Sequence, residues 1–455
     1  MAAIAGIAAA NRKKQVNQML DRMAHRGQAG RLVVQPGGVT VGIDWPPAQP
    51  EIFHLLLEQN LAADNIADGQ FARAQAIGGT FALTRDPLGV APLYFGRTLE
   101  NEFCFASEVK GLLTINASEI QELPPGHTYL NGVLSPYFQP AIPDRLDEQP
   151  PHLVAARLRH LLETSVERYA SRGKEFGAWL SGGLDSSVLA ALARPLTPVL
   201  HTFVAGFSGA PDLHYARIVA DHIKAGHHEV IVTLEDLLAA LPRVIFHLES
   251  FDALLVRSSL MNYLVAREAG KYVPAAFSGE GGDELFAGYE YLKTIPLDQL
   301  PGELIDITAR LHNTALQRVD RSAAAGGIAP YVAFLDPDVV LYALRIPPQY
   351  KLRGGVEKWI LRQAMAGTLP DEVLNRPKAK FWQGAGVQDL LDEYANQKIS
   401  NHDFEVERRL PNDWVLNTKE ELLYYRTFRD LFGPLDDLDW MGRTKGAPRK
   451  TLNNN

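Results

Sequence analysis

The stretch Ala178-Trp179-Leu180-Ser181-Gly182-Gly183-Leu184-Asp185-Ser186-Ser187 has the residue types for handling phosphate. An apolar lead-in runs into Ser-Gly-Gly, then an aspartate and two serines, then the apolar run Val188 to Ala193. It reads as a strand, a tight turn and a helix starting at the serines. Glycines let the backbone approach an anion closely and tolerate positive φ. Ser186 and Ser187 can satisfy the free N–H groups of the helix start. Those N–H groups and the helix dipole favour a bound anion such as pyrophosphate. Ser181, Gly182, Gly183, Ser186 and Ser187 are therefore candidate phosphate contacts, with Asp185 placed where it could hold a magnesium ion bridging phosphates. No lysine follows the glycines, which separates this loop from GxxxxGK[ST]. The plain alternative is a Gly-rich turn that only caps a helix.

A second stretch, Phe277-Ser278-Gly279-Glu280-Gly281-Gly282-Asp283-Glu284, sets three carboxylates among three glycines after an apolar run. Clustered acids are costly unless a cation offsets them. A magnesium–pyrophosphate complex would do so; an acidic surface turn is the alternative. The histidines show no HExxH-type spacing, so His227 and His228 read as structural or solvated. Taken alone, Lys378 is a solvated lysine and Arg12-Lys13-Lys14 a solvated helix start, while Glu357-Lys358 is either a helix-surface charge pair or a functional one.

The elements that must carry these loops follow from the rest of the 455 residues, a length that favours two domains. Charged residues at 22% and hydrophobic ones at 46% describe a soluble globular chain. A net charge of -8 argues against a nucleic-acid or membrane-surface binder. No apolar run reaches membrane-span length, and the apolar start precedes its basic residues, the reverse of a signal peptide. One cysteine, Cys104, excludes an internal disulfide and suits a cytoplasmic protein.

Residues 1–140 read as a β-rich domain. Ile4 to Ala8 forms a buried strand and Gln15 to Met23 a helix. Phe81–Thr84 and Leu93–Phe95 form a hairpin-like pair around Asp86-Pro87-Leu88-Gly89, and Phe103–Ala106 is a further strand before a short helix at Glu108–Leu113. Residues 141–151 are a proline-rich linker. In residues 152–440 a helix from Leu153 to Tyr169 precedes strands before Ser181, at Leu200–Val204, at His228–Val232 and at Pro274–Phe277, with helices at Asp212–His222 and Leu234–Leu248 between them. That alternation predicts a parallel sheet with helices on both faces. Ligands bind such sheets at the C-terminal strand ends, where both loops fall. The remainder reads as helical, closing on a helix near Glu420–Leu431, with residues 441–455 a tail and its last residues frayed.

The first loop resembles the SGGxDSS loop of ATP pyrophosphatases, which cleave ATP between the α and β phosphates and adenylate a substrate. The second, with Leu285-Phe286-Ala287-Gly288-Tyr289, resembles the SGEGxDExFxGY motif of asparagine synthetases. Further counterparts in that family are Ala210-Pro211-Asp212-Leu213, Glu357 to Arg362 and Arg376-Pro377-Lys378. Near the start, MAAIAGI, Met23 to Gly27, Arg85 to Gly89, Phe105 to Lys110 and Leu123 to Gly126 resemble the family's glutaminase domain. The resemblance implies an α/β protein: an N-terminal Ntn-hydrolase-like αββα glutaminase-type domain, then a C-terminal PP-loop ATP pyrophosphatase domain with a parallel sheet and a helical C-terminal part. It implies ATP and Mg2+ as cofactors, with Leu180, Ser181, Gly182, Gly183, Asp185, Ser186 and Ser187 contacting ATP and pyrophosphate, Asp185 and Asp283 on the metal, and Ser278 and Gly279 lining the AMP site. It also implies Glu280 as the base that deprotonates an attacking amine, Lys378 on the leaving pyrophosphate, and Arg257 on the acyl substrate.

Two departures qualify it. The family begins Met-Cys-Gly-Ile, and its cysteine attacks glutamine; here the position is Ala2, whose methyl group is no nucleophile. The family's Asn-Gly-Glu segment is missing, and the span Leu32 to Gln70 looks shortened. The domain thus reads as a glutaminase fold without its chemistry. Where the family has a Thr-Thr-Ile-Arg type run, this chain has Leu254-Leu255-Val256-Arg257, so the pocket is altered or the leucines are core. The expected activity is AMP-forming amide synthesis from aspartate or a related acid and ammonia or another amine, with a separate glutaminase as one nitrogen source and a homodimer as the default assembly. The rivals are intramolecular amide closure, as in β-lactam synthetases and lasso-peptide cyclases, and a non-catalytic paralogue.

Overall fold

The computed structural model describes residues 2–45, 69–171, 173, 175–378, 385, 390–410 and 414–444. The expected shortening between Leu32 and Gln70 and the frayed end lie partly or wholly outside these residues.

The N-terminal part contains β1 (Ala3–Ile7), α1 (Lys13–Arg22), β2 (Gly30–Val34), β3 (Thr40–Trp45), β4 (Ala72–Ile77), β5 (Thr80–Arg85), β6 (Tyr94–Arg97), β7 (Phe103–Ala106), α2 (Val109–Thr114), β8 (Ser118–Glu122), β9 (His127–Leu130) and β10 (Val133–Pro136). They build two antiparallel sheets, in orders β2-β3-β1-β7-β6-β8 and β10-β9-β5-β4. Alternation along β1 explains the layering. Ile4 joins Val41, Phe81, Leu83 and Phe105 in one apolar cluster, whereas Ala3, Ala5 and Ile7 pack with Val16, Met19 and Leu20.

The expected hairpin across Asp86–Gly89 does not form. β5 belongs to the four-stranded sheet and β6 to the six-stranded one, and the hairpin partner of β5 is β4. The turn residues instead serve a crossing between sheets: the Asp86 carboxylate accepts the backbone N–H groups of Leu88 (3.2 Å), Val90 (3.0 Å) and Ala91 (2.8 Å). The first helix starts at Lys13 with Lys13 and Lys14 exposed, as expected; only Arg12 departs, since its guanidinium donates to Glu102 at 2.6 and 2.9 Å.

No helix or strand is described between Pro136 and Pro151, and the crossing is tied down where Tyr342 donates to Asp147 at 2.8 Å. Beyond it come α3 (Pro151–Ala170), β11 (Gly177–Trp179), α4 (Leu184–Ala193), β12 (His201–Gly206), α5 (Pro211–Ile223), β13 (Gly226–Ile231), α6 (Leu234–Leu248), α7 (Ala253–Ala269) and β14 (Ala275–Phe277). Then follow α8 (Gly282–Phe286), α9 (Leu300–Ala309), α10 (Ala315–Ala325), β15 (Ala329–Tyr331) and shorter helices ending with Lys419–Phe432. The five strands are parallel in order β13-β12-β11-β14-β15. β15 falls where only helix was expected, since three residues are too few to show a period. Strand order reverses between β11 and β14, the place where such sheets open a ligand crevice at their C-terminal ends. Among the described residues no helix is long and apolar enough to cross a membrane.

Candidate functional site

Both loops rise from the strands flanking that reversal. After β11, Gly182 takes φ +68°, and a Cβ there would meet the Tyr215 backbone at 2.4 Å, so only glycine fits. The helix begins at Leu184, with Gly183 as its cap, rather than at the serines. The hydroxyls of Ser186 and Ser187 do not cap it; they donate back to the Gly183 carbonyl at 3.1 and 2.7 Å. Ser181 Oγ accepts the Gly183 N–H at 3.3 Å and lies 3.2 Å from Ser186 Oγ.

After β14, the Ser278 N–H donates to the Tyr331 carbonyl at 2.8 Å and starts the second loop. This loop runs directly against the first. A Cβ at Gly282 would meet Asp185 Cγ at 2.4 Å, and one at Gly279 the Ser186 nitrogen at 2.9 Å. The glycines therefore allow two acidic loops to touch, which brings Asp185 and Asp283 onto one cation.

That cation is Lys358. Its Nζ is bonded to Asp185 Oδ2 and lies 2.6 Å from Asp283 Oδ1, and Lys378 Nζ reaches Asp283 Oδ2 at 2.5 Å. Glu357-Lys358 is thus not a helix-surface pair. The helix starts at Trp359, which leaves Lys358 as its cap at φ 54°, buried, with its N–H on the Phe286 carbonyl at 3.1 Å. A lysine in the left-handed region costs about 1 kcal/mol or more and persists only where its surroundings demand it. Glu357 turns away to Arg362.

The electrostatics follow from burial and pairing. Burial pushes the Asp283 carboxyl up, but Lys358 and Lys378 outweigh it and hold the group below its ordinary range. Asp185 ends above its ordinary value, because burial and Asp283 together outweigh Lys358. Burial would lower Lys378, yet Asp283 and Asp185 hold its ammonium above the ordinary value. Beside them Glu284 accepts from the Tyr289 hydroxyl at 2.5 Å, and burial together with Asp283 pushes its carboxyl up to about 7.

Asp185 Oδ1 is buried without a hydrogen-bond partner. Among the described residues no group of three or more His, Cys, Asp or Glu converges as a cage. Asp283 Oδ1 is likewise without a hydrogen bond beyond its ion pair with Lys358, and two carboxylates so placed suit a hard cation that takes its other ligands from phosphate and water, which is how magnesium is usually held.

The other candidates separate. Glu280 sits on the second loop, where Arg318 of α10 donates to it at 2.5 Å. Arg257 does not stand open for a carboxylate, because its fork is bonded to Glu420, with Nε at 3.0 Å. Leu255 is core, whereas Leu254 is 38% exposed on the first turn of α7. His201 and His228 share a 2.9 Å bond, and His227 bonds Thr202. Sequence reasoning left Lys358 open between a surface pair and a functional role and missed Arg318 and Arg376, the last donating to the Ser181 carbonyl at 3.0 Å and to Asp212 at 2.6 Å. The signal available for Lys358 and Arg376 was their place in segments already matched to a family; Arg318 had none.

In the first domain Ala2 packs against the apolar cluster that Ile4 joins. Cys104 is buried in β7, and burial pushes its thiol up to about 12.

An Asparagine synthase family model matches residues 157–306 and 297–448, and a Glutamine amidotransferase domain model matches 54–135. The chain is 34% identical over 421 residues to the probable glutamine-hydrolysing asparagine synthetase of Schizosaccharomyces pombe, covering 84% of this chain and 75% of that protein. It is 33% identical over 412 residues to asparagine synthetase 2 of Arabidopsis thaliana (84% and 70%), and 33% over 392 residues to asparagine synthetase B of Escherichia coli (80% and 69%). A solved NMN synthetase from Francisella tularensis superposes at TM-score 0.29 with 13% identity over 64% of this chain and 98% of its own, too slight a likeness to bear on the fold. Similarity on this scale, across both the two-sheet domain and the loop-bearing parallel sheet, shows that the chain belongs to the asparagine synthetase family.

Proposed function

We propose that this protein is an ATP-dependent, AMP-forming amide ligase that takes ammonia or another amine directly rather than from glutamine. The observation that carries the reading is the meeting of Asp185 and Asp283, from loops on either side of the strand reversal, on Lys358 with Lys378 behind.

A carboxylate oxygen of the acyl substrate attacks the α-phosphorus of ATP, the bond to the β-phosphate bridging oxygen breaks, and pyrophosphate leaves. The Ser181–Gly183 turn, Ser186 and Ser187 cradle the phosphates. Lys358 and Lys378 swing from the carboxylates to the departing oxygens, where negative charge grows. Asp185 and Asp283 would hold magnesium, which when bound would supply further positive charge there. Ser278 and Gly279 line the AMP side. The amine then attacks the acyl carbon, AMP leaves, and Glu280 takes the amine's proton.

Loss of glutamine hydrolysis is supported by Ala2, a methyl group against an apolar cluster, and by the inert setting of Cys104. The relatives described above as glutamine-hydrolysing set the contrary expectation. The nitrogen source is then free ammonia or a separate glutaminase. Aspartate is the reference acyl substrate. The exposed Leu254 and the Arg257–Glu420 pair favour a second reading, a different or intramolecular acyl substrate.

The test is ATP–pyrophosphate exchange against a panel of carboxylic acids including aspartate, with and without ammonium. Exchange dependent on aspartate, with asparagine formed only with ammonium, supports the first reading. Exchange with another acid supports the second. ADP and phosphate as products refute the ligase reading; no exchange with any acid of the panel leaves intramolecular amide closure or a non-catalytic paralogue.

A further inference from the structure

The two domains meet through buried charges that the ligase chemistry does not use. Arg26, Glu108 and Lys110 come from the first domain, and Glu249, Asp320 and Arg321 from the second; each is at most 2% exposed. Glu108 accepts from Arg26 at 2.5 Å and from Lys110, and lies 2.6 Å from Arg321 NH1. Arg321 also donates to Glu249 at 2.9 Å, Arg26 donates to Asp320, and the Lys110 N–H donates to Glu249 at 2.6 Å. Three cations face three anions, so the cluster is neutral as a whole while any single removal leaves a buried charge unpaired. Glu249 reaches it from a left-handed cap at φ 58°, a conformation costly for glutamate.

Asp320 and Arg321 lie on α10, which also carries Arg318 on Glu280 at 2.5 Å, and Gln317 on the Leu248 carbonyl at 2.8 Å. One helix therefore touches the base and the other domain within a single turn. A rigid helix whose two ends of one turn are both fixed by charge transmits position from one to the other.

We propose that Arg318 is the positioning residue for the base Glu280, and that the domain without a nucleophile holds it in place through Glu108, Arg321 and α10. This rests on the ligase reading for its activity arm, and on geometry alone for its structural arm.

The activity arm compares ATP–pyrophosphate exchange with amide formation in the full-length protein, using the best acid of the panel with ammonium chloride. In Arg318→Gln amide formation should fall at least tenfold with exchange changed less than twofold, and Arg318→Lys should recover part of the loss. An equal fall in both reactions, or none, overturns the positioning role. The structural arm follows amide hydrogen exchange of residues 278–284 in the full-length protein without ligand. Arg321→Gln should speed it severalfold, and Arg321→Lys, which keeps the charge but not the fork spanning Glu108 and Glu249, should do so if the first variant fails to fold. Faster exchange in α10 with residues 278–284 unchanged overturns the coupling. A wild-type protein that activates no acid of the panel counts against the aspartate-type reading and still leaves the structural arm to decide the coupling.

Discussion

β1 and β11 are both short apolar strands at the heart of a sheet, and each leads to the place where its domain's chemistry would begin. At β1 that place is Ala2, a methyl group among apolar neighbours. At β11 it is Ser181 to Ser187, where hydroxyls ring a carbonyl and a carboxylate oxygen is buried without a partner. The contrast shows what each fold needs in order to persist. The sandwich is held by Ile4, Phe81, Phe105 and their neighbours and by the charges at the domain boundary, none of which requires a nucleophile. The nucleotide-type site is different: Asp185 and Asp283 are brought together at an energetic cost that packing does not require.

The sharpest way to break the comparison is nitrogen from glutamine. Ammonium should support amide formation and glutamine should not, with no glutamate released. Glutamate release by the purified protein would restore chemistry to the first domain. Next comes Lys358→Ala, which removes the shared cation. Exchange should fall ~10²–10³-fold, the usual cost of one preorganised charge-stabilising group. A fall of less than about tenfold would reduce Lys358 to a structural counter-ion.

The smallest effect concerns Glu284. Its carboxyl is raised to about 7, chiefly by burial and by Asp283, so the folded state favours its protonated form. That contribution is fully present below the unfolded value near 4.5 and fades as pH rises through about 7. Urea unfolding should show a loss of up to about 3 kcal/mol between pH 5 and 8 that Glu284→Gln abolishes. An identical pH slope in the variant would remove Glu284 from the account.

The two loops were legible because each is contiguous, with its glycines and acids adjacent in the chain and an apolar strand directly before. Strands with helices between them were legible from period and spacing. The supposed hairpin around Asp86 failed because turn chemistry is local while choice of sheet is not, and the same carboxylate that closes a hairpin also closes a crossing loop. β15 was hidden by its brevity.

The sequence by itself determined the fold class, the two glycine-rich loops, Ala2 where the family's cysteine would stand and the candidate acids, because each depends on neighbours within a few residues. Only tertiary structure decided that Lys358 leaves its helix to lie between two aspartates, that Glu420 holds Arg257, and that α10 ties Glu280 to a domain more than a hundred residues away in the chain. Charges separated that far pair according to how helices pack, and no local pattern encodes which buried cation a buried carboxylate will meet.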